Sequence, residues 1–372
     1  MGNKSVYKIR DSVDLFLSND QYLMAYYMNS RRRKSFKINR DMVALLESID
    51  GQRTVNELTH LMEDQNNISP EETVQILMKL KDNRIITEVV SNNDLLSEED
   101  KIRYSRQINY FSEFLGGDLD GILAQKKLLE THITVFGCGA VGGNIAIQLA
   151  MAGVGHLTLY DCDIIEPSDV ARHMYYKSSQ IGHKKVDALA QELYLVNKSI
   201  TVDTIADFMR PETEITELIK KSDFVVNTLD EPYIGYTAAK ISRVCMQYNI
   251  PHYIAGGFDA HLASTGEIIV PYITPCVECY ANHFKISLKN WKPKKHPVIQ
   301  RYLEIGGLPS MTLFSSSYAC IEILKYLTGI TEIQKDYKVR GEFLFTDMSL
   351  QYLDVQRDPN CPVCGGQNES KS

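Results

Sequence analysis

The sequence predicts an α/β protein. A mostly parallel sheet, covered by helices on both faces, follows a small module of strands and short helices. Three observations predict it. Residues 131–163, THITVFGCGAVGGNIAIQLAMAGVGHLTLYDCD, read strand, glycine turn, helix, strand. Strand-like apolar runs recur at 224–230 and 252–255 with a helical pattern between them, and such alternation builds a parallel sheet. The first hundred residues read differently and carry closely spaced helix signals.

In order along the chain, KSFKI at 34–38 is strand-like, and helical spacing follows at Met42, Leu45 and Leu46. Asp50-Gly51 punctuates it. Thr54-Val-Asn-Glu57 then has the form of a capping box. Pro70 suits the first turn of another helix running through Leu77 and Leu80, and ITEVV at 86–90 closes the unit as a strand. The result is a winged-helix-like module. The polar stretch Ser91 to Asp100 reads as a linker and 101–130 as amphipathic helix. Ile133, Val135 and Phe136 then make a buried strand, Ile145, Ile147, Leu149 and Ala150 a helix, and Leu157, Leu159 and Tyr160 the next strand. Phe224 to Asp230 reads as a third strand, Ile241 to Gln247 as helix, and His252 to Ala255 as a fourth strand. After about residue 258 the expectation is strands without helices between them, such as Glu267 to Val270, followed by LKNWKPKKHP. The expected domains are 1–92, a helical segment 93–130, and 131–372.

Composition narrows the function. A chain of 372 residues predicts two to three domains, and 44% apolar residues excludes a wholly disordered chain. With 40 Lys plus Arg against 47 acids, the net charge of -7 argues against a dedicated nucleic-acid binder. Arg31-Arg-Arg-Lys34 is read as a charged hairpin turn. Apolar runs are too short to cross a membrane, and the charged start lacks a signal peptide's apolar block. Val6 stands where a myristoylation signal prefers Ser or Thr. The expectation is a cytoplasmic protein with no membrane and no nucleic-acid partner. The eight cysteines do not suit a disulfide framework. Cys138, Cys162, Cys245 and Cys320 are isolated and read as packing residues, whereas Cys276-x-x-Cys279 and Cys361-x-x-Cys364 have the matched spacing of a four-thiolate structural Zn2+ site.

Gly137-Cys-Gly139-Ala-Val-Gly142 follows a strand and starts a helix, so its backbone N–H groups suit phosphate. Asp161 ends the second strand, where an acid can hold ribose hydroxyls. That signature alone suggests NAD. A second acid, Asp163, and two downstream cations, Arg172 and Lys185, suit a triphosphate better than a hydride carrier. Asp230 ends a strand on the ligand-binding side of the sheet and can hold Mg2+ against phosphate oxygens.

Residues 101–364 resemble the ThiF/MoeB superfamily, which shares the adenylation fold of ubiquitin-activating enzymes. The matching pieces are RYSRQ at 103–107, GCGAVGG at 137–143, DCDIIEPSDVARH at 161–173, GHKK at 182–185, NTLDEP at 227–232 and both CxxC pairs. The resemblance implies a Rossmann-like ThiF fold and adenylation of a C-terminal carboxylate. It implies that Gly137, Gly139 and Gly142 approach ATP and that Asp161 binds the ribose, with Asp163 beside it. It further implies that Arg172 and Lys185 contact phosphates, that Asp230 positions Mg2+, and that Arg106 reaches into the partner's site of a homodimer. Where the family usually has Asn-Leu-x-Arg-Gln, this chain has Asp169-Val-Ala-Arg172-His173, which adds negative charge near the triphosphate.

The front residues KINRDMVALLESIDGQRTVNEL and LKDNRIITEV resemble PqqD-like domains, which bind a leader peptide as an added strand. Both halves together resemble the microcin C-type and pantocin-type enzymes. The resemblance implies an enzyme that activates a carboxylate of a ribosomally made precursor peptide with Mg-ATP. It leaves open cyclisation or nucleotide attachment as the fate of the adenylate. A sulfur-carrier adenylyltransferase and a non-catalytic peptide presenter remain alternatives. In the family the corresponding segment, here between residues 280 and 312, can pass over the active site, and Lys292, Lys294 and Lys295 fall within it.

Overall fold

The computed structural model describes residues 2–18, 21–89, 95–255, 258–259, 262–291, 307–334, 337 and 340–366. The segment 292–306, with Lys292, Lys294 and Lys295, and linker residues 91–94 lie outside them. The chain divides into two compact units, Met1–Lys126 and Lys127–Ser372.

The first unit contains β1 (Val6–Ile9), β2 (Val13–Ser18), β3 (Tyr22–Tyr27), β4 (Arg32–Lys37), α1 (Arg40–Ser48), β5 (Asp50–Thr54), α2 (Val55–Asn66), α3 (Pro70–Asp82), β6 (Ile86–Glu88), α4 (Glu98–Arg103), α5 (Ser105–Leu115) and the start of α6 (Asp118–Glu130). Two small sheets form, in orders β5-β1-β6 and β2-β3-β4. Tyr7, Leu45, Leu58, Met62, Leu77 and Ile85 build the core under α1, α2 and α3. The expected capping box is present: Thr54 Oγ1 accepts the Glu57 N–H and the Glu57 side chain accepts the Thr54 N–H. The Arg31–Lys34 run is not a turn throughout. Arg31 ends the turn in a left-handed conformation (φ 54°), and Arg32, Arg33 and Lys34 belong to β4. The helical stretch at 101–130 is three helices, broken at Tyr104 and at Gly116.

The second unit contains β7 (His132–Phe136), α7 (Ala140–Met151), β8 (His156–Tyr160), α8 (Pro167–Val170), α9 (Lys185–Val196), β9 (Thr201–Ile205), α10 (Thr216–Lys220), β10 (Phe224–Asn227), α11 (Ile234–Gln247), β11 (His252–Ile254), β12 (Phe258–Asp259), β13 (Leu262–Ser264), β14 (Glu267–Ile269), α12 (Val277–Ser287), α13 (Pro309–Thr328), β15 (Gly341–Leu344) and β16 (Ser349–Tyr352). The main sheet has the order β14-β11-β10-β7-β8-β9. Its first five strands in sequence are parallel, and β14 closes one edge antiparallel to β11. Ile133, Val135, Leu157, Leu159, Val225 and Val226 are fully buried, as strands covered on both faces require.

Two features differ from the sequence reading. β9 lies between the second expected strand and β10, so Phe224–Asn227 is the fourth parallel strand in sequence. Helices also occur after residue 258. α12 starts directly on Cys276, so the cysteine spacing masks a helix start. α13 packs along α7, where the Ser316 hydroxyl donates to the Val141 carbonyl at 3.1 Å. A helix buried around much of its circumference loses the one-sided apolar stripe that reveals a surface helix.

Candidate nucleotide site and thiolate cluster

β7 and β10 are neighbours, yet the chain leaves β7 toward β8 on one side and reaches β11 on the other. Such a reversal opens a crevice at the carboxyl ends of the strands. Three loops rise there: Gly137 to Gly139 after β7, Asp161 to Asp163 after β8, and Thr228 to Asp230 after β10.

The three glycines of the turn do different work. Gly137 has φ +94° and takes the chain sharply off β7. A Cβ on Gly142 would lie 2.0 Å from the Gly137 carbonyl oxygen and 2.5 Å from Thr228 Oγ1, so this residue permits close packing. A Cβ on Gly139 would meet nothing within 4 Å. The middle glycine therefore faces free space, as a backbone spared for a ligand does.

Asp161 is buried, and its two carboxylate oxygens accept the Cys138 N–H at 2.6 Å and the Asp163 N–H at 2.8 Å. Burial raises its pKa above the ordinary value, against the pull of those two bonds and of Lys185. Lys185 Nζ donates to Asp163 at 2.9 Å and stands 3.7 Å from Asp169. Burial pushes the Lys185 ammonium down, but the bond to Asp163 and the charges of Asp163, Asp161 and Asp169 outweigh it, and its pKa is raised. Arg172 donates to Asp169 at 2.8 Å and leaves half its side chain in solvent. Asp230 is exposed beyond β10. Arg106 lies on α5 in the first unit, exposed, and lines a cavity of about 340 Å³ with Arg10, Asn109 and Glu113.

Sequence reasoning missed three supporting side chains. The Thr228 hydroxyl lies 3.1 Å from the carbonyls of both Phe136 and Gly137, tying β10 to the glycine turn. The Tyr175 hydroxyl donates to the Gly139 carbonyl at 3.2 Å, and the Tyr176 hydroxyl lies 3.1 Å from the carbonyls of Cys138 and Lys185. The only sequence signal for the tyrosines was their place just after the Arg172 motif. Cys138, Cys245 and Cys320 are buried. Burial and the Asp163 charge push Cys162 up to about 12, so it is a poor nucleophile.

The two CxxC pairs meet. Cys276 and Cys279 sit on the first turn of α12, and Cys361 and Cys364 on a turn near the end of the described chain. Their sulfurs are 3.9 Å apart for Cys276–Cys279, 3.6 Å for Cys276–Cys361 and 3.4 Å for Cys279–Cys364. Zinc–sulfur bonds of about 2.3 Å in a tetrahedron put sulfurs roughly 3.8 Å apart, so these residues fit Zn2+. All four are buried, and none forms a disulfide. The Asp358 and Val363 N–H groups point at Cys279 and Cys361 at 3.4 and 3.5 Å, which suits thiolates.

The model of the ThiF family matches residues 104–363. Protein HesA of Nostoc sp. is 27% identical over 250 residues, covering 66% of this chain and 89% of that protein. The sulfur carrier protein ThiS adenylyltransferase of Escherichia coli is 27% identical over 279 residues, 73% of this chain and 98% of that protein. Among solved structures, E. coli MccB with AMPCPP and MccA superposes with a TM-score of 0.69 at 20% identity, covering 96% of this chain and 99% of MccB. PaaA gives 0.69 at 20% identity, over 94% of this chain and all of PaaA. At that identity the likeness is one of fold. With the family model spanning the glycine turn, the acids after β8 and Cys276, Cys279 and Cys361, this chain belongs to the ThiF family.

Proposed function

We propose that the protein is an ATP-dependent adenylyltransferase that activates a carboxylate of a ribosomally made precursor peptide, acting as a homodimer. The observation that carries the peptide reading is coverage. The ThiS adenylyltransferase of E. coli is matched over 98% of its length but accounts for 73% of this chain, whereas MccB is matched over 99% and accounts for 96%. The family model begins at residue 104, so residues 1–103 of the front unit are additional to it. MccB has been solved with ATP and with MccA. Among the described residues of the front unit β4 pairs only with β3, and its other edge suits an added strand from a leader peptide.

In this reading the crest of the parallel sheet holds the nucleotide. The Gly139 backbone approaches the phosphates, Asp161 faces the ribose, and Arg172 and Lys185 neutralise charge on the phosphates. Arg106 adds a cation to the partner's site. Asp230 would hold Mg2+, which supplies further charge neutralisation on phosphate oxygens. Two anions must approach in line, and the fixed cations lower their repulsion and supply proximity. The peptide carboxylate oxygen bonds to the α-phosphorus, the bond to the bridging oxygen breaks, and pyrophosphate leaves with its electron pair. No cysteine is required. The thiolate cluster has no open position and holds the fold.

Identity favours the alternative, since the sulfur-carrier relatives are 27% identical and MccB 20%. One experiment separates them. The protein is incubated with ATP, Mg2+ and either a candidate precursor peptide or a carrier protein ending in Gly-Gly. Pyrophosphate release and peptide mass are followed. Release that requires the peptide, with a mass change in the peptide, is expected. Release that requires the carrier overturns the peptide reading.

A further inference from the structure

Asp169 is the acid that the sequence places inside the cationic motif, and its setting is unusual. It is 2% exposed. One carboxylate oxygen accepts from Arg172 at 2.8 Å. The other accepts the Glu166 N–H at 2.9 Å and faces Lys185 Nζ at 3.7 Å. Both cations assigned to the phosphates thus converge on one buried carboxylate. Lys185 also pairs with Asp163 at 2.9 Å, and Asp161 lies behind it. Three carboxylates, Asp161, Asp163 and Asp169, therefore stand against two cations, Arg172 and Lys185.

His173 does not restore the balance. Its Nδ1 lies 2.7 Å from the Asp169 carbonyl oxygen, so Nδ1–H donates there, and its buried Nε2 has no partner among the described residues. Burial lowers its pKa, which disfavours a third cation here.

We infer that Asp169 is a positioning residue that acts as a built-in counter-anion: it holds Arg172 and Lys185 in place before nucleotide arrives and weakens nucleotide binding in proportion to phosphate charge. This rests on the adenylation reading of the site and adds to it. A unit of negative charge on the carboxylate that pairs both of these cations opposes a polyanion drawn to them, even at an effective dielectric near 20. Arg172, half exposed, is free to turn from Asp169 to phosphate. Lys185, 10% exposed, is held and serves both. Phosphate must therefore share its cations with an acid that cannot leave.

The test is calorimetric binding of ATP, ADP, AMP and adenosine to wild type and Asp169→Asn, which keeps the shape and an acceptor for the Glu166 N–H. Expected is about tenfold tighter ATP binding in the variant, a smaller gain for ADP and then AMP, and none for adenosine. The gain shrinks as salt rises. A merely structural role would shift the melting temperature and change all four ligands alike. If Asp169→Asn does not fold, Asp169→Ser carries the same expectation. ATP binding that is unchanged or weaker in the folded variant overturns the inference alone. A wild type that binds no ATP overturns the adenylation reading together with it.

Discussion

The second unit holds two clusters of ionisable side chains, and they are built on opposite plans. At the thiolate cluster four groups of one kind converge, all buried, with sulfurs 3.4–3.9 Å apart among the pairs in contact. Ionised, they repel one another, and only a shared cation makes the arrangement stable. At the candidate nucleotide site the charges are mixed and already paired: Asp163 with Lys185, and Asp169 with Arg172 and Lys185. Parts of it stay open, as half-exposed Arg172, exposed Asp230 and the empty space beside Gly139 show. A cluster that is closed and like-charged holds a fold together. One that is balanced and open leaves room for a ligand.

That contrast ranks variants by stability, in reverse order of their bearing on chemistry. Cys364→Ser removes one of four ligands and is expected to cost about 5 kcal/mol or more. Metal analysis is expected to find about one zinc per wild-type chain and far less in the variant. A variant with full zinc and an unchanged melting temperature would break the comparison. Gly142→Ala pushes a methyl group to 2.0 Å from the Gly137 carbonyl and is expected to cost about 3 kcal/mol in denaturant unfolding. Lys185→Met strands Asp169 and Asp163 without their shared cation. The expected loss is about 2 kcal/mol, held down because Asp163 is 46% exposed and screened. Its ATP affinity falls tenfold or more.

Gly139→Ala and Asp230→Ala sharpen the contrast from the other side. Both positions are open, so each is expected to change stability by less than about 0.5 kcal/mol. Gly139→Ala lowers nucleotide affinity about tenfold, read by titration. Asp230→Ala lowers peptide-dependent pyrophosphate release about a hundredfold. If Gly139→Ala bound nucleotide normally, the space beside it would not be a ligand's.

The sequence showed both clusters because each is written in local spacing. CxxC fixes two ligands on one turn, and G-x-G-x-x-G fixes a turn on a strand. It did not show how they are supported. Thr228 meets Gly137 across 91 positions, and Tyr175 meets Gly139 across 36; no periodicity encodes such pairs. The same limit hid the placement of Asp169. Its spacing to Arg172 is visible on the chain, but the approach of Lys185 depends on how α9 starts beside the loop after β8. β9, TVDTI, has two apolar residues, Val202 and Ile205, three positions apart, so no period-two alternation marks it as a strand. α13 was lost for the opposite reason, being apolar on too many sides.

The pairing of Cys276 with Cys361 and of Cys279 with Cys364 spans 85 positions in each case. A zinc ion held by all four would make the chain between them a closed ring, pinned where its ends meet, with less freedom to lose on folding. A disulfide would give the same ring and would open to thiols. A ring clasped by a metal ion would be indifferent to thiol reductants and would answer to chelators, so with zinc bound the integrity of this unit would follow metal supply.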